Sequence, residues 1–430
     1  MVQAGELTAA IVHGVDDPTE REAITRELPA LPLDDVLPTR GAAVVLIDGR
    51  WPAGRGFRIE VEGRGRAELW VQSEGDLAPE AGSLGALFGA ATARATVTIP
   101  AASRGLLAVG ASVNRVEWTS SRGATASVAA LAVVPTPVEG GAAFFSSAGP
   151  NARGDFKPDL LAPGAFVISA MASAADPRRG GYGIFSGGLC ADAGCQVIAD
   201  GYGLTAGTSM AAPMVSGAAA LLLEREPGLT QGALSGLLVA GSSALAIAPD
   251  VASREGGGLL DVARSLEAQS AVPRELDARP SPERSRVRMA AESVVLDPSR
   301  SLVGMLWLRD AEDRIFDASL ERVGVVITGG ALREPPLRIA PGLYRFAVSS
   351  PEGASPASLS IDVAVDAQPL LSMSLPTEGA VAPAGADGGG CTLGLRGSNG
   401  LAPPWLPWLM AAAFGYGLRR RTLTARSRRA

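Results

Sequence analysis

The chain has 430 residues, a formal net charge of −6 and a single histidine, His13. At 47% hydrophobic residues it can build packed cores, and its length allows about two or three domains. One histidine and three cysteines exclude a histidine-rich or four-cysteine metal site, and the acidic balance argues against nucleic acid as a partner.

Residues 7–13, LTAAIVH, form a short apolar run that predicts a buried strand, and the acidic, proline-bearing stretch 14–40 predicts loop. Three strand-like segments follow: AAVVLIDG, GFRIEVEG and AELWVQSE. Phe57, Ile59 and Val61 alternate with Arg58, Glu60 and Glu62, and Gly63-Arg64-Gly65 is a good hairpin turn. The pattern predicts an antiparallel β-meander over about 42–75. Apolar strands follow within 97–112, 124–135 and 143–147, with a turn-rich block over 148–165. Helices are predicted over 208–224 and 230–240. Six short β patterns between 286 and 375, separated by turn signals, predict a small β-sandwich.

The most informative segment is GTSMAAPMVSGAAALLL, from Gly207. Gly207 permits a tight entry into a helix, and Pro213 falls in the first turns, where a missing N–H costs little. The alanines and Gly217 make a slim helix suited to full burial. Ser209 at the start of that helix has free backbone N–H groups beside it and the positive end of the helix dipole, which is what an acyl-transfer nucleophile needs. On these features alone, an ordinary helix-capping serine is the more common reading.

The wording of the segment resembles the nucleophile motif of the subtilisin-like serine peptidases, through Gly207, Thr208, Ser209, Met210, Ala211, Pro213, Val215 and Gly217. Three further blocks resemble that family in order: TIPAASRGLLAVGA (98–111), FFSSAGPNARGDFKPDLLAPGAFVISA (144–170) and GGGLLDVARSL (256–266). The resemblance implies an α/β fold, a parallel sheet with flanking helices, and endopeptidase chemistry with Ser209 as the catalytic nucleophile. Calcium is common in the family, but no acidic loop here marks a site. Lys157, the sole lysine, falls in the second of these blocks and is expected to be structural.

The family uses an Asp–His–Ser triad in that chain order, with an oxyanion asparagine between histidine and serine. His13 is followed by Gly14-Val15-Asp16-Asp17, which does not continue as a helix, and no aspartate precedes it. The first asparagine, Asn114, already follows the VGA strand. His13 is therefore expected to be a strand-end histidine and not the base, and the chain to be a C-terminal portion of a peptidase, inactive alone.

Cys190 and Cys195 flank a short loop, so a disulfide and two free thiols are both open readings. Cys391 precedes PPWLPWLMAAAFGYGL (403–418) and a tail with Arg419, Arg420, Arg421, Arg426, Arg428 and Arg429. The apolar run predicts a membrane-engaging helix with a cytoplasmic arginine cluster, an amphipathic tail being the other reading. The order of Gly-Cys, apolar stretch and arginines resembles the myxobacterial-type C-terminal sorting tails. That resemblance implies export and attachment to the cell surface or release from it.

The expected organisation is an incomplete subtilisin-like domain over 1–270, a linker at 271–285, the β-sandwich over 286–375, a Gly/Ala/Pro-rich linker at 376–400 and the tail at 401–430. The expected partners are protein or peptide substrates and, through the tail, a membrane. The rival expectation is a non-catalytic exported binding protein built on a degenerate peptidase domain.

Overall fold

The computed structural model describes residues 94–378 except 128–136, 152, 180–193, 247–251, 276–277 and 354–355. Outside that span it gives the backbone of strands at 2–4, 7–13, 43–49, 58–59 and 391–392. The expected sorting tail at 401–430 lies outside the described residues, as does Cys190.

β1 (Val2–Ala4), β2 (Leu7–His13) and β3 (Ala43–Gly49) form an antiparallel sheet in the order β1-β2-β3. β3 pairs with β2 along its whole length, from Leu7 opposite Gly49 to His13 opposite Ala43. The two seven-residue runs match in length and apolar character, which suits this long-range pairing, and most of the rest of the expected meander, with Gly63-Arg64-Gly65, lies outside the described residues. β4 is only Arg58–Ile59.

The centre is a parallel pair, β5 (Val109–Val113) beside β8 (Leu160–Ala165), with Val109 opposite Leu160 and Ala111 opposite Ala162. A parallel bridge from Leu161 to Leu259 widens it. β6 (Glu117–Thr119) and β7 (Thr125–Ser127) make a hairpin between them. β9 (Val167–Ala170), β10 (Val197–Ala199) and β11 (Tyr202–Thr205) form an antiparallel sheet in the order β10-β11-β9.

Three helices follow: α1 (Thr208–Arg225), α2 (Gln231–Gly241) and α3 (Val262–Ser270). Thr230 caps α2, its Oγ1 accepting from Ala233 N at 3.2 Å, and Asp261 caps α3, its Oδ1 accepting from Arg264 N at 3.0 Å. Ala211, Val215, Ala218 and Leu222 of α1 pack with Leu160, Ala162 and Leu238 in one core.

The remaining strands are β12 (Arg286–Met289), β13 (Val294–Val295), β14 (Leu302–Trp307), β15 (Val323–Thr328), β16 (Ala331–Ala340), β17 (Leu343–Ser349), β18 (Ser358–Val365), β19 (Gln368–Glu378) and β20 (Cys391–Thr392). β20 pairs with β4. The others form two four-stranded sheets, β12-β14-β17-β16 and β13-β19-β18-β15. Alternating residues of both sheets, among them Leu306, Phe346, Leu359, Ile361 and Val363, share a second core. β16 is absent from the sequence reading because Pro335 and Pro336 argue against a strand. It is an edge strand, bonded only to β17, where prolines forfeit no ladder partner on the open side. Residues 271–285, expected as linker, are fastened to the second core's elements: Arg274 N donates to Asp317 O at 2.8 Å and Ser281 N to Arg309 O at 2.7 Å.

Candidate active site

The C-terminal ends of β5 and β8 meet the N-terminus of α1. Gly207 N donates to Gly164 O at 2.8 Å, and Asn114 N to Ala165 O at 3.0 Å. Gly164 is the close-packing point: a Cβ there would lie 2.7 Å from Ala111 Cβ, 2.9 Å from Gly207 O and 3.1 Å from Ala211 Cβ. The ProGly pair of the sequence block thus sets how near the helix approaches the sheet. Parallel α/β sheets place ligands at this end of their strands.

Gly207 occupies the cap position of α1, and no side chain caps the helix. Ser209 is the second helical residue and is exposed. Among the described residues nothing hydrogen-bonds its Oγ, nor the backbone N–H groups of Thr208 and Ser209. The capping-serine alternative therefore does not describe this geometry. The arrangement offers a free hydroxyl beside two open N–H donors at the positive end of an 18-residue helix. An anionic oxygen there would be stabilised without reorganisation.

The expected full burial of α1 is not observed. Ala211, Val215, Ala218 and Leu222 are buried, but Ala212, Pro213, Gly217 and Ala220 are exposed, with Met214 at 42% and Leu221 at 45%. Glycine 217 has nothing within 4 Å of where a Cβ would stand. A helix apolar on every side is built to be covered on every side, and among the described residues only one side is.

His13 ends β2, and its side chain lies outside what the structure describes. Lys157 is not near the reacting group. Its side chain is buried, and Nζ donates to Leu106 O at 2.6 Å and to Asp159 Oδ2 at 2.8 Å. Burial pushes the Asp159 carboxyl above its ordinary range, against the pull of the Lys157 ammonium. Asp159 Oδ2 also accepts from Ala108 N at 2.6 Å, so the pair ties residues 106–108 to the entry of β8. Arg254, which no sequence signal marks, donates to Phe144 O at 2.6 Å and to Ser146 O, holding the FFSS block.

Cys195 is disulfide-bonded, which removes the free-thiol reading for that residue. Its carbonyl accepts from Trp118 Nε1 at 2.9 Å, and Trp118 stacks on Phe166 at 5.7 Å. Among the described residues no group of three or more His, Cys, Asp or Glu is placed to hold a metal, and no helix is long and apolar enough to cross a membrane.

A family model described as the subtilase family matches residues 68–258. Over that stretch, somewhat less than half of its length, the chain is similar to the subtilase family. The match begins inside the stretch read as an insertion at 42–75 and upstream of the block that starts at residue 98. Curated relatives agree. A subtilisin-like protease of Arabidopsis thaliana, SBT1.7, is 34% identical over 151 residues, which are 34% of this chain and 17% of that protein. SBT1.3 of the same plant is 35% identical over 133 residues, 28% of this chain and 14% of that protein. The subtilase stretch thus spans less than a fifth of the length of these relatives. Fervidolysin from Fervidobacterium pennivorans, a keratinolytic enzyme related to subtilisin, is 16% identical with a TM-score of 0.24, covering 66% of this chain and 36% of that one. Likeness at that score carries no argument about this chain.

Proposed function

We propose that the chain carries the nucleophile half of a serine endopeptidase, with Ser209 as the group that becomes acylated. The observation that carries this reading is Ser209 itself: exposed, uncapped and beside the open N–H groups of Thr208 and Ser209 at the head of α1. In the reaction Ser209 Oγ attacks the peptide carbonyl and its proton passes to a base. The carbonyl oxygen gains charge beside the Ser209 N–H, and the amine leaves with a proton. The acyl-enzyme is then cleared by water. A neutral hydroxyl is a weak nucleophile, and the base is not among the described residues. The exposed apolar side of α1 supports the same reading, because it is the surface on which base-bearing structure would pack.

On this reading the sheets of the second core form a β-sandwich. The tail at 401–430 engages a membrane during export, with processing near Cys391 and surface attachment or release afterwards. The sequence order of Gly-Cys, apolar run and arginines supports the tail assignment. Cys391→Ser is then expected to leave the mature mass unprocessed.

The test is hydrolysis of an unfolded protein substrate by the purified chain beside Ser209→Ala. No Ser209-dependent turnover is expected from the chain alone. Turnover abolished by Ser209→Ala would show that the base is present after all. The unpartnered Oγ also fits a non-catalytic exported binding protein, and the labelling experiment that closes the Discussion separates the two.

A further inference from the structure

The sheets of the second core look like an appendage in sequence, yet each half of the molecule donates a residue to the other's interior. Phe156, from the FKPD block of the subtilase stretch, is 5% exposed and packs in the second core. In return Trp307, Ile315, Ala340 and Leu343 pack in the first core with α2 and β8. Trp307 is fully buried and its Nε1 donates to Val239 O at 2.8 Å.

The polar contacts run the same way. The last turn of α2 leaves its carbonyls without partners in the helix. Arg309 Nη2 donates to Ala240 O at 2.5 Å. Arg286 Nη2 donates to Ser242 O at 2.9 Å and Gly257 O at 2.7 Å, with its guanidinium 4.3 Å over the Trp307 ring. Three side chains of β12 and β14 and their flank thus cap a helix of the subtilase stretch from outside it. Two cations there oppose the negative end of the helix dipole. At a second point, Val303 N donates to Gly154 O at 2.9 Å, and a Cβ on Gly154 would lie 2.0 Å from Ser301 O. Ion pairs Arg288–Glu255 and Arg264–Asp313 also cross the boundary.

We propose that residues 278–378 are an obligate folding clamp of the subtilase stretch, so that the two cores unfold together and Ser209 is positioned only while the clamp is closed. The route to Ser209 is short: Phe156 is anchored in the clamp, Lys157 and Asp159 fix the entry of β8, and Gly164 of β8 holds Gly207. The inference does not depend on Ser209 being catalytic.

Lys157 is the sole lysine and is buried, so its modification by an amine-reactive ester, read by peptide mass, reports opening of the subtilase stretch. Amide exchange of the 343–349 peptide reports the clamp. Both are followed in the full chain across a urea series, in the wild type and in Ile361→Ala, which truncates a fully buried clamp residue in the other core from Lys157. The expected result is one shared midpoint in the wild type. In Ile361→Ala both midpoints should fall together, with Lys157 labelling at fixed sub-denaturing urea rising at least about tenfold. Ile361→Val gives the same pattern with a smaller shift should the alanine variant not fold. Trp307→Ala is expected to split the two midpoints. A Lys157 midpoint unmoved by either Ile361 substitution, or two separate midpoints in the wild type, would overturn the proposal.

Discussion

The indole Nε1 of Trp307 in β14 donates a 2.8 Å hydrogen bond to the carbonyl of Val239 in the last turn of α2. This contact ties a buried aromatic of one core to a helix-end carbonyl of the other, which also accepts from Ser242 N at 3.2 Å and Ser242 Oγ at 2.7 Å. Trp307→Ala is expected to cost about 3–5 kcal/mol, from the lost aromatic volume and the cavity left behind. Trp307→Phe keeps most of the volume and removes one hydrogen bond, while Val239 O keeps its Ser242 donors, so about 0.5–1.5 kcal/mol is expected. Urea unfolding of the full chain measures both. Equal losses for the two variants would mean that the hydrogen bond, which both remove, outweighs packing at this point, and no loss for Trp307→Phe would mean that packing alone matters.

Two glycines on opposite sides of α1 give opposite expectations. Gly164→Ala would drive its Cβ against Ala111, Gly207 O and Ala211, an overpacking that costs about 1–3 kcal/mol. It should also displace Gly207, and with it the head of α1. Gly217→Ala adds its Cβ into open space on a helix interior, so a gain of about 0.5–1 kcal/mol is expected. Thermal unfolding checks both signs. A loss at Gly217 would indicate that the outer side of α1 is already covered.

The acid limb of stability should carry the signature of Asp155. Burial raises this carboxyl's pKa, but hydrogen bonds from Arg104 and Asn151 and the charge of Arg345 more than reverse that, holding it below the ordinary 3.8. The unfolded chain therefore takes up a proton at higher pH than the folded one. The stability Asp155 contributes is complete above the ordinary carboxylate pKa and is lost as pH falls through the lower folded value. Asp155→Asn is expected to destabilise at neutral pH and to flatten the decline of stability between about pH 5 and pH 2. An unchanged slope would show that other carboxylates set the acid limit.

Two of the three helices were legible because their signals are local. Gly207 places the start of α1, Pro213 stands inside the helix and not in its first turn, and the observed spans of α1 and α2 lie within about a residue of their expected places. Most strands of the second core were legible from alternation. What escaped has a long-range cause. The pairing of β3 with β2 depends on a segment far back in the chain, which no turn signal encodes. β16 was hidden by Pro335 and Pro336, whose meaning depends on whether the strand is at an edge. Phe156 and Trp307 look like residues of their own segments, and nothing local tells that each packs in the other core. The exposure of Ala212, Gly217 and Ala220 is likewise a property of what surrounds α1 and not of its sequence.

The central claim is that Ser209 is a preformed nucleophile whose base is not supplied by the described residues. The direct measurement is covalent labelling of the folded 430-residue chain by a fluorophosphonate, read at Ser209 by peptide mass, with and without added imidazole. Imidazole stands in for the absent general base, so it should act in its neutral form and gain effect through about pH 6–7. The expected result is negligible labelling in buffer and imidazole-dependent labelling that Ser209→Ala abolishes. Rapid labelling of Ser209 without imidazole would contradict the claim by locating a base within the chain, and no labelling at any imidazole concentration would leave the non-catalytic binding protein as the correct reading.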